Sequence, residues 1–538
     1  MLGPGAFPPL IVLLYLFPAA PTGHTFAVRP VTRSAHTRPL ARIVAPSIFL
    51  LQFGGASLGA QAAPSRVAAS DTLVAIVGAT VIDGNGGAPL TDATIVVRGR
   101  RIAALGPRAS VQVPKAARVV DATAKFVTPG FIDTNVHLSL YNNGESMVRY
   151  EDRFLDLIAE AAQTELKYGI TTVRDSYGAL LPLIAVRDSI ARGKLIGPRM
   201  LVAGNIVGWG GPRSPLFSNA APTTFFDEQM MDFIAQGSGE ELLDMSPDEL
   251  RVAMRAYLDK GPDFVKYGGT SHTNNLITFS PRQQEALVDE VHKRGLIAET
   301  HSTNPEPLRI SVLAGIDLIQ HPEVHGVPIP DDLIKLIVER KVICSVLSNG
   351  ITGKPWKDYL KTRQRADSAK ADSLKNDTLK VMQRAKTGWE LRNEKRTQAT
   401  ALRRANAEKL IKGGCLTTPS TDTYLSSAPE FLRTPRTDLH AMPGTATLAA
   451  IEGLVELGMT PSQAIVAATK NGAIASQGLK DYGTLEVGKL ADLLVLDADP
   501  LADIHNIRKL SLVMRDGRVI DRDKLPEKPV WTKPKPKA

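Results

Sequence analysis

The chain is poor in cysteine, in aromatic residues and in long apolar runs, and each shortage narrows what it can be. Two cysteines in 538 residues, Cys344 and Cys415, are too few for a disulfide framework, so the fold must rest on a packed core. Both fall on segments that read as neighbouring strands. A bridge in an oxidising compartment is open to them, but two buried free thiols are the expectation. Aromatic residues make up 5% of the chain and no basic stripe is interleaved with them, which argues against a nucleic-acid partner despite a pI near 9.3 and a net charge of +9. The region before Ala63 holds Arg29, Arg33, Arg38 and Arg42 and no acid, so without it the charge falls to +5. Much of the remainder sits in a Lys/Pro-rich tail, residues 523–538.

After the N-terminal region no run reaches the roughly 20 apolar residues that cross a bilayer, so no stable membrane span is expected. That region has two shorter runs, Leu10 to Phe17 and Ile43 to Phe53. The second follows basic residues and precedes Ala60-Gln61-Ala62, a small-x-small cleavage pattern, so residues 1–62 read as an export signal. A signal beginning at Met1 would be unusually long, and the true start is expected near Val31 or Thr32. The mature chain is expected outside the cytoplasm of a bacterium, periplasmic or secreted, with an uncleaved anchor as the alternative.

A hydrophobic content of 43% with 22% charged residues is that of a globular protein, and the length calls for more than one module. Short strands are expected in residues 72–127, at Leu73 to Val77, Thr94 to Val97, Ile102 to Gly106 and Arg118 to Asp121. Residues 481–522 echo them at Gly483 to Gly488, Asp492 to Leu496 and Leu512 to Ile520. Two β-rich ends around a long middle predict one small sheet domain assembled from both. Residues 128–480 alternate apolar strands with amphipathic helices, the pattern of a parallel sheet of (β/α)8 barrel size. One unit is legible in full: Ser280-Pro281 starts a helix from Gln283 to Lys293, Gly295 ends it, and Leu296 to Thr300 is the strand that delivers His301. Thr460-Pro461 opens another helix, Ser462 to Thr469. Residues 354–412 break the rhythm; they are highly charged and read as one or two added helices, either a solvated insertion or a lid over the barrel mouth.

Barrel enzymes present reactive groups at strand carboxyl ends. Five residues fit that placement in chain order: His137, Lys266, His301, His321 and Asp422. Imidazoles and a carboxylate suit zinc or a related divalent ion. Lys266 ends an apolar strand, where a free ammonium is costly to bury and a masked amine is not. The segment Pro129 to His137 ends in Asn135-Val136-His137, a paired His-x-His in which an amide replaces the first imidazole. Tyr267 and His272, in the segment running on from Lys266, are candidates for binding a substrate carboxylate or carbonyl. Arg174-Asp175 reads equally as an ion pair or a substrate clamp, His325 and His440 are weaker candidates, and His292 and His505 read as ordinary polar residues.

On these residues, on Gly169 to Asp175, on Ser420-Thr421-Asp422 and on Gly483 to Leu493, residues 72–522 resemble the metal-dependent amidohydrolase superfamily, in its imidazolonepropionase-like and prolidase-like branch. The resemblance implies a (β/α)8 TIM barrel with a small β-sandwich domain built from the N- and C-terminal segments. It implies one or two divalent ions, zinc foremost: His137 at the more buried ion, Lys266 carboxylated and bridging, His301 and His321 at the second. Asp422 would ligate the first ion and shuttle the proton, with Lys266 and Asp422 as the catalytic pair. It further implies cleavage of an amide bond in a small molecule such as a dipeptide or an N-acyl amino acid, by attack of a metal-bound hydroxide. Cyclic-amide or lactone hydrolysis is the alternative within the fold. Asn135, a weaker and neutral ligand, leaves three outcomes: two ions with one held weakly, one ion on Lys266, His301 and His321, or an impaired site that only binds. The partners implied are a small-molecule substrate and, as an option, further copies of the chain.

Overall fold

The computed structural model describes residues 73–139, 150–211, 214, 216, 225–272, 276–375, 388–424 and 442–530. The export-signal region, the end of the Lys/Pro-rich tail, His440 and the middle of the charged insertion lie outside the described residues. Five strands come first: β1 (Leu73–Val81), β2 (Leu90–Arg98), β3 (Arg101–Pro107), β4 (Arg118–Asp121) and β5 (Phe126–Pro129). Eight short parallel strands follow: β6 (Phe131–His137), β7 (Ile170–Asp175), β8 (Arg199–Val202), β9 (Val265–Gly268), β10 (Ala298–His301), β11 (Leu318–Gln320), β12 (Ile343–Val346) and β13 (Leu416–Pro419). β14 (Thr423–Tyr424) lies parallel beside β6, and β15 (Leu493–Leu496), β16 (Leu510–Arg515) and β17 (Arg518–Val519) close the chain's strand list.

Strands from the two ends pair in one eight-stranded sheet of order β17-β16-β15-β5-β1-β2-β3, with β4 also on β1. It buries its own cluster, including Ile76, Ile95, Ile102, Val127, Leu493 and Met514. The expected strand at Gly483 to Gly488 does not form. Gly483 and Gly488 take φ of 97° and 91°, which break an extended run, and the segment instead binds across β3 through Gly488 N–H to Ile102 O at 2.8 Å.

The parallel strands form a four-stranded sheet, β14-β6-β7-β8, and a five-stranded sheet, β13-β12-β11-β10-β9. Backbone hydrogen bonds link the two at each side: Gly268 N–H reaches Val207 O at 3.0 Å, and Asp422 N–H reaches Asn135 O at 2.8 Å. The helix Pro281–Lys293 starts in a capping box between Ser280 and Gln283, and Thr460 with Gln463 repeats the device at Pro461–Val466. The second helix does not end at Thr469 as its pattern suggests; it widens into a π turn over Ala467–Asn471 and continues to Ala475.

Among the described residues the charged insertion contributes two helices, Gly353–Lys375 and Gly388–Lys412, between the seventh and eighth parallel strands. The end of the second packs on the strand wall through buried Ala407 and Leu410. Cys344 and Cys415 are joined in a disulfide, which corrects the expectation of free thiols. They sit near the starts of the paired strands β12 and β13, where their Cα atoms are 6.2 Å apart. Strand pairing, which composition cannot reveal, brings them within bonding range. The bridge spans 71 residues and encloses the whole insertion. Replacing both cysteines with alanine is therefore expected to lower the thermal midpoint by several degrees, with chain entropy setting an upper bound of about 4 kcal/mol. Activity at 25 °C should be retained; an unchanged midpoint in a thermal melt would remove the bridge's structural role.

Candidate metal centre

β6 does not alternate simply. Its pairing with β7 jumps from Asp133–Val173 to Val136–Asp175, three steps against two, and the resulting bulge reorients the side chains. Thr134 points into the polar interior, bonding Ser345 and Thr418 at 2.7 and 2.8 Å. Asp133 turns the other way, onto Thr421 and Thr447 at 2.9 and 2.7 Å, beside buried Glu165. Burial drives the Asp133 carboxyl up to about 7 against its hydrogen bonds, and pushes Glu165 well above the carboxylate range with the charge of Asp133 adding to it.

The five strand-end residues come together. His137 Nε2 lies 2.7 Å from Asp422 Oδ1, and Asn135 donates from Nδ2 to the same oxygen at 3.1 Å. Asn135 Oδ1 is occupied as well, accepting from Ser176 Oγ, and Lys266 Nζ donates to that hydroxyl at 3.3 Å. His301 Nδ1 and His321 Nε2 face one another at 3.0 Å. Asp422 and His321 take positive φ, 55° and 39°, so both side chains leave their strands at sharp turns that aim them inward. Burial would raise the Asp422 carboxyl, but His137, His321 and Lys266 outweigh it and hold the group well below its usual range. Burial depresses both imidazoles, His301 strongly and His321 to about 3, so they stand neutral with lone pairs available. Burial also lowers Lys266, against the pull of Asp422, Glu299 and Asp175.

Among the described residues no three His, Cys, Asp or Glu side chains form a ready-made metal cage. The donors stand instead as two pairs, His137 with Asp422 and His301 with His321, and Lys266 joins the first through Ser176 and Asn135. The 3.0 Å between the facing nitrogens of His301 and His321 is close to the roughly 3.3 Å that two imidazoles take around one tetrahedral zinc with bonds of about 2.0–2.1 Å. Two neutral imidazoles, an ionised carboxylate and the Lys266 nitrogen are a donor set that fits a divalent ion.

Tyr267 does not belong to this site. It alternates with Lys266 on β9, so its ring enters the strand–helix layer, where its hydroxyl donates to Gln284 at 2.8 Å and the ring meets Phe279. His272 is exposed, with its ring 5.8 Å from that of His301. Arg174 pairs with Glu299 at 2.6 Å rather than with Asp175, and both partners are fully buried. Asp175 accepts from Leu138 N at 2.6 Å, and burial raises it to about 8. Two aromatic residues escaped the sequence reading. Trp209 packs edge-on to His301 at 4.7 Å, and Tyr177 bridges between Trp209 and His137 at 6.2 and 5.8 Å. The signal for Trp209 is its setting, Gly208-Trp209-Gly210-Gly211, a bulky residue in a glycine-rich loop after a barrel strand.

A parallel strand set with an additional sheet, carrying His, Lys, His, His and Asp at its strand ends, defines a hydrolase-type site. A family model described as the Amidohydrolase family matches residues 126–520, and the chain belongs to that family. The family is generally dependent on divalent metal, and its members have the TIM-barrel architecture with an extra domain. A solved molinate hydrolase is 31% identical with a TM-score of 0.76, covering 87% of this chain and 98% of that one. Phenylurea hydrolase B is 30% identical with a TM-score of 0.75, covering 86% and 100%. An imidazolonepropionase of Geobacillus sp. (strain WCH70) is 31% identical over 119 residues, so the match spans 22% of this chain and only a quarter, 25%, of that curated relative. A Xaa-Pro dipeptidase structure at 20% identity and a TM-score of 0.64 shares the fold. Family and full-length relatives place the chain among hydrolytic enzymes acting on carbon–nitrogen bonds.

Proposed function

We propose that this chain hydrolyses an amide-type carbon–nitrogen bond in a small molecule, a dipeptide or N-acyl amino acid, at one divalent ion held by Lys266, His301 and His321. The observation that carries the one-ion reading is the state of Asn135. Its amide oxygen already accepts from Ser176 and its nitrogen donates to Asp422, so an ion would have to compete for that oxygen, a weaker ligand than the imidazole it replaces. With one ion, a carbamate on Lys266 has nothing to bridge, and the Lys266 nitrogen, deprotonated on binding, serves as the donor. When bound, a divalent metal supplies Lewis acidity at the carbonyl and an acidified water. Asp422, held through Oδ1 by His137 at 2.7 Å and Asn135 at 3.1 Å, would take a proton on its other carboxylate oxygen and return it to the departing nitrogen. Thr134, Ser345 and Thr418 tie the floor beneath the site into one hydrogen-bonded layer.

The hydrogen bonds at both seams support closure of the eight parallel strands into a (β/α)8 barrel, with the mixed sheet as a small β-sandwich. The disulfide supports an oxidising location, in keeping with an export signal in residues 1–62. Among the described residues no helix is long and apolar enough to cross a membrane. The two full-length relatives favour a second reading, a neutral phenylurea-like or molinate-like substrate.

Metal analysis joined to a substrate panel tests these readings. About one zinc-group ion per chain is expected, with turnover of dipeptides or N-acyl amino acids that a chelator abolishes and added metal restores. Turnover confined to a phenylurea or molinate would select the second reading. Substoichiometric metal with no turnover on any compound would make the chain a binding protein.

A further inference from the structure

One residue of the charged insertion contacts the loop that carries His321. Arg403, near the end of the helix Gly388–Lys412, reaches the loop that follows β11 and places Nη2 3.2 Å from Glu323 Oε1. Glu323 lies two residues after His321 and is fully buried, whereas the Arg403 side chain is 27% exposed. Arginine–carboxylate pairs are frequently bidentate, with two parallel N–H···O bonds. Here one contact is made, and Arg403 Nε and Glu323 Oε2 are both buried without a hydrogen-bond partner among the described residues. The guanidinium is thus anchored at one corner with donors to spare, on a glutamate two residues from His321.

A second observation is independent of this contact. Residues 354–412 carry 17 lysines and arginines against 7 acids, a net charge of +10, while the whole chain carries +9. The rest of the chain sums to −1, its basic N-terminal region and tail being offset by acids elsewhere, so the insertion is the most strongly basic stretch between the β-rich ends. A 25-residue helix is about 37 Å long. Its last turns, from Arg403 to Lys409, run down the wall from Glu323 to Ile329, so its first half lies on the side of the strand carboxyl ends. Lys357, Lys361 and Arg365 of the first helix are exposed. A one-signed field at a cleft raises the local concentration of the opposite ion.

We propose that the substrate is an anion: Arg403, held by Glu323, reads its carboxylate, and the basic helices steer that anion to the mouth. This rests on the amide-hydrolase reading and sets it against the neutral substrates of the second. The test compares N-acetyl-L-phenylalanine with its C-terminal primary amide on the metal-loaded enzyme, by turnover and by isothermal calorimetry of binding. The acid should bind at least tenfold more tightly. Arg403→Met should erase that preference through KM, with kcat nearly unchanged, and Arg403→Lys should keep part of it. The triple change K357E, K361E and R365E should weaken binding of the acid at low salt, leave the amide unaffected and lose its effect at 0.5 M salt. Equal binding of acid and amide, or a preference that survives Arg403→Met, would overturn the proposal. Discrimination in binding with no cleavage of either compound would keep it and discard the amide reading instead.

Discussion

Asp422→Asn is expected to lower kcat/KM by roughly 10³-fold or more while leaving the fold intact, the scale of a lost general acid–base group. Asp422 Oδ1 is the one oxygen on which His137 Nε2 and Asn135 Nδ2 both converge, and its side chain is 37% exposed, open toward the mouth. Burial would raise the carboxyl, but its neighbours, His137 first, hold it well below the usual range, so it is ionised at neutral pH. Asparagine is the substitution that isolates this charge. The residue sits at φ 55°, a conformation asparagine tolerates better than other non-glycine residues, so the backbone turn survives. Circular dichroism should overlay the wild type, and metal content should change little if the ion rests on Lys266, His301 and His321. A loss below tenfold would mean that the proton passes elsewhere, with Asp175 the next group to examine.

The largest expected effect on stability lies one layer below. Arg174 and Glu299 are fully buried at 2.6 Å, and Glu299 also accepts from Gln320 at 2.8 Å. The guanidinium bonds Ala475 O at 2.6 Å and lies 3.8 Å from the centre of the Phe264 ring. Glu299→Gln removes the countercharge and leaves a buried cation, at a cost of about 3–5 kcal/mol by analogy with broken buried pairs. Chemical denaturation should show the loss. Removing both charges, Arg174→Met with Glu299→Gln, should recover a large part of it, because the double variant leaves no unpaired ion. A single variant within 1 kcal/mol of wild type, or a double variant worse than the single, would contradict the buried-pair argument. Glu299 pairs in register with Lys266, so the same change also removes a negative charge beside the amine and should alter metal affinity.

Much of this site was legible because strand ends are written locally. An apolar run followed by a histidine states where a parallel strand stops and what it presents, and His137, His301 and His321 needed little more. Ser280-Pro281 with Gln283, and Thr460-Pro461 with Gln463, state helix starts in the same local way. Strand alternation alone would have turned Tyr267 away from the site once Lys266 was pointed into it. The bulge in β6 was not legible, since nothing in Phe131 to His137 distinguishes seven alternating residues from a strand that slips by one. Nor was the role of Arg403, one of 17 basic residues in a charged stretch, until the fold set it against a glutamate 80 positions away.

The residue order by itself determined the architecture, the identity of the strand-end groups and the presence of an amide where an imidazole is expected, because periodicity, caps and strand ends depend on neighbours in the chain. Only the tertiary structure decided what those groups meet. Asn135 spends both ends of its amide on Ser176 and Asp422, Cys344 joins Cys415, and Arg174 chooses Glu299 over its neighbour Asp175. Each of these partnerships spans tens to hundreds of residues, and no local pattern encodes a distance that exists only after the strands have paired.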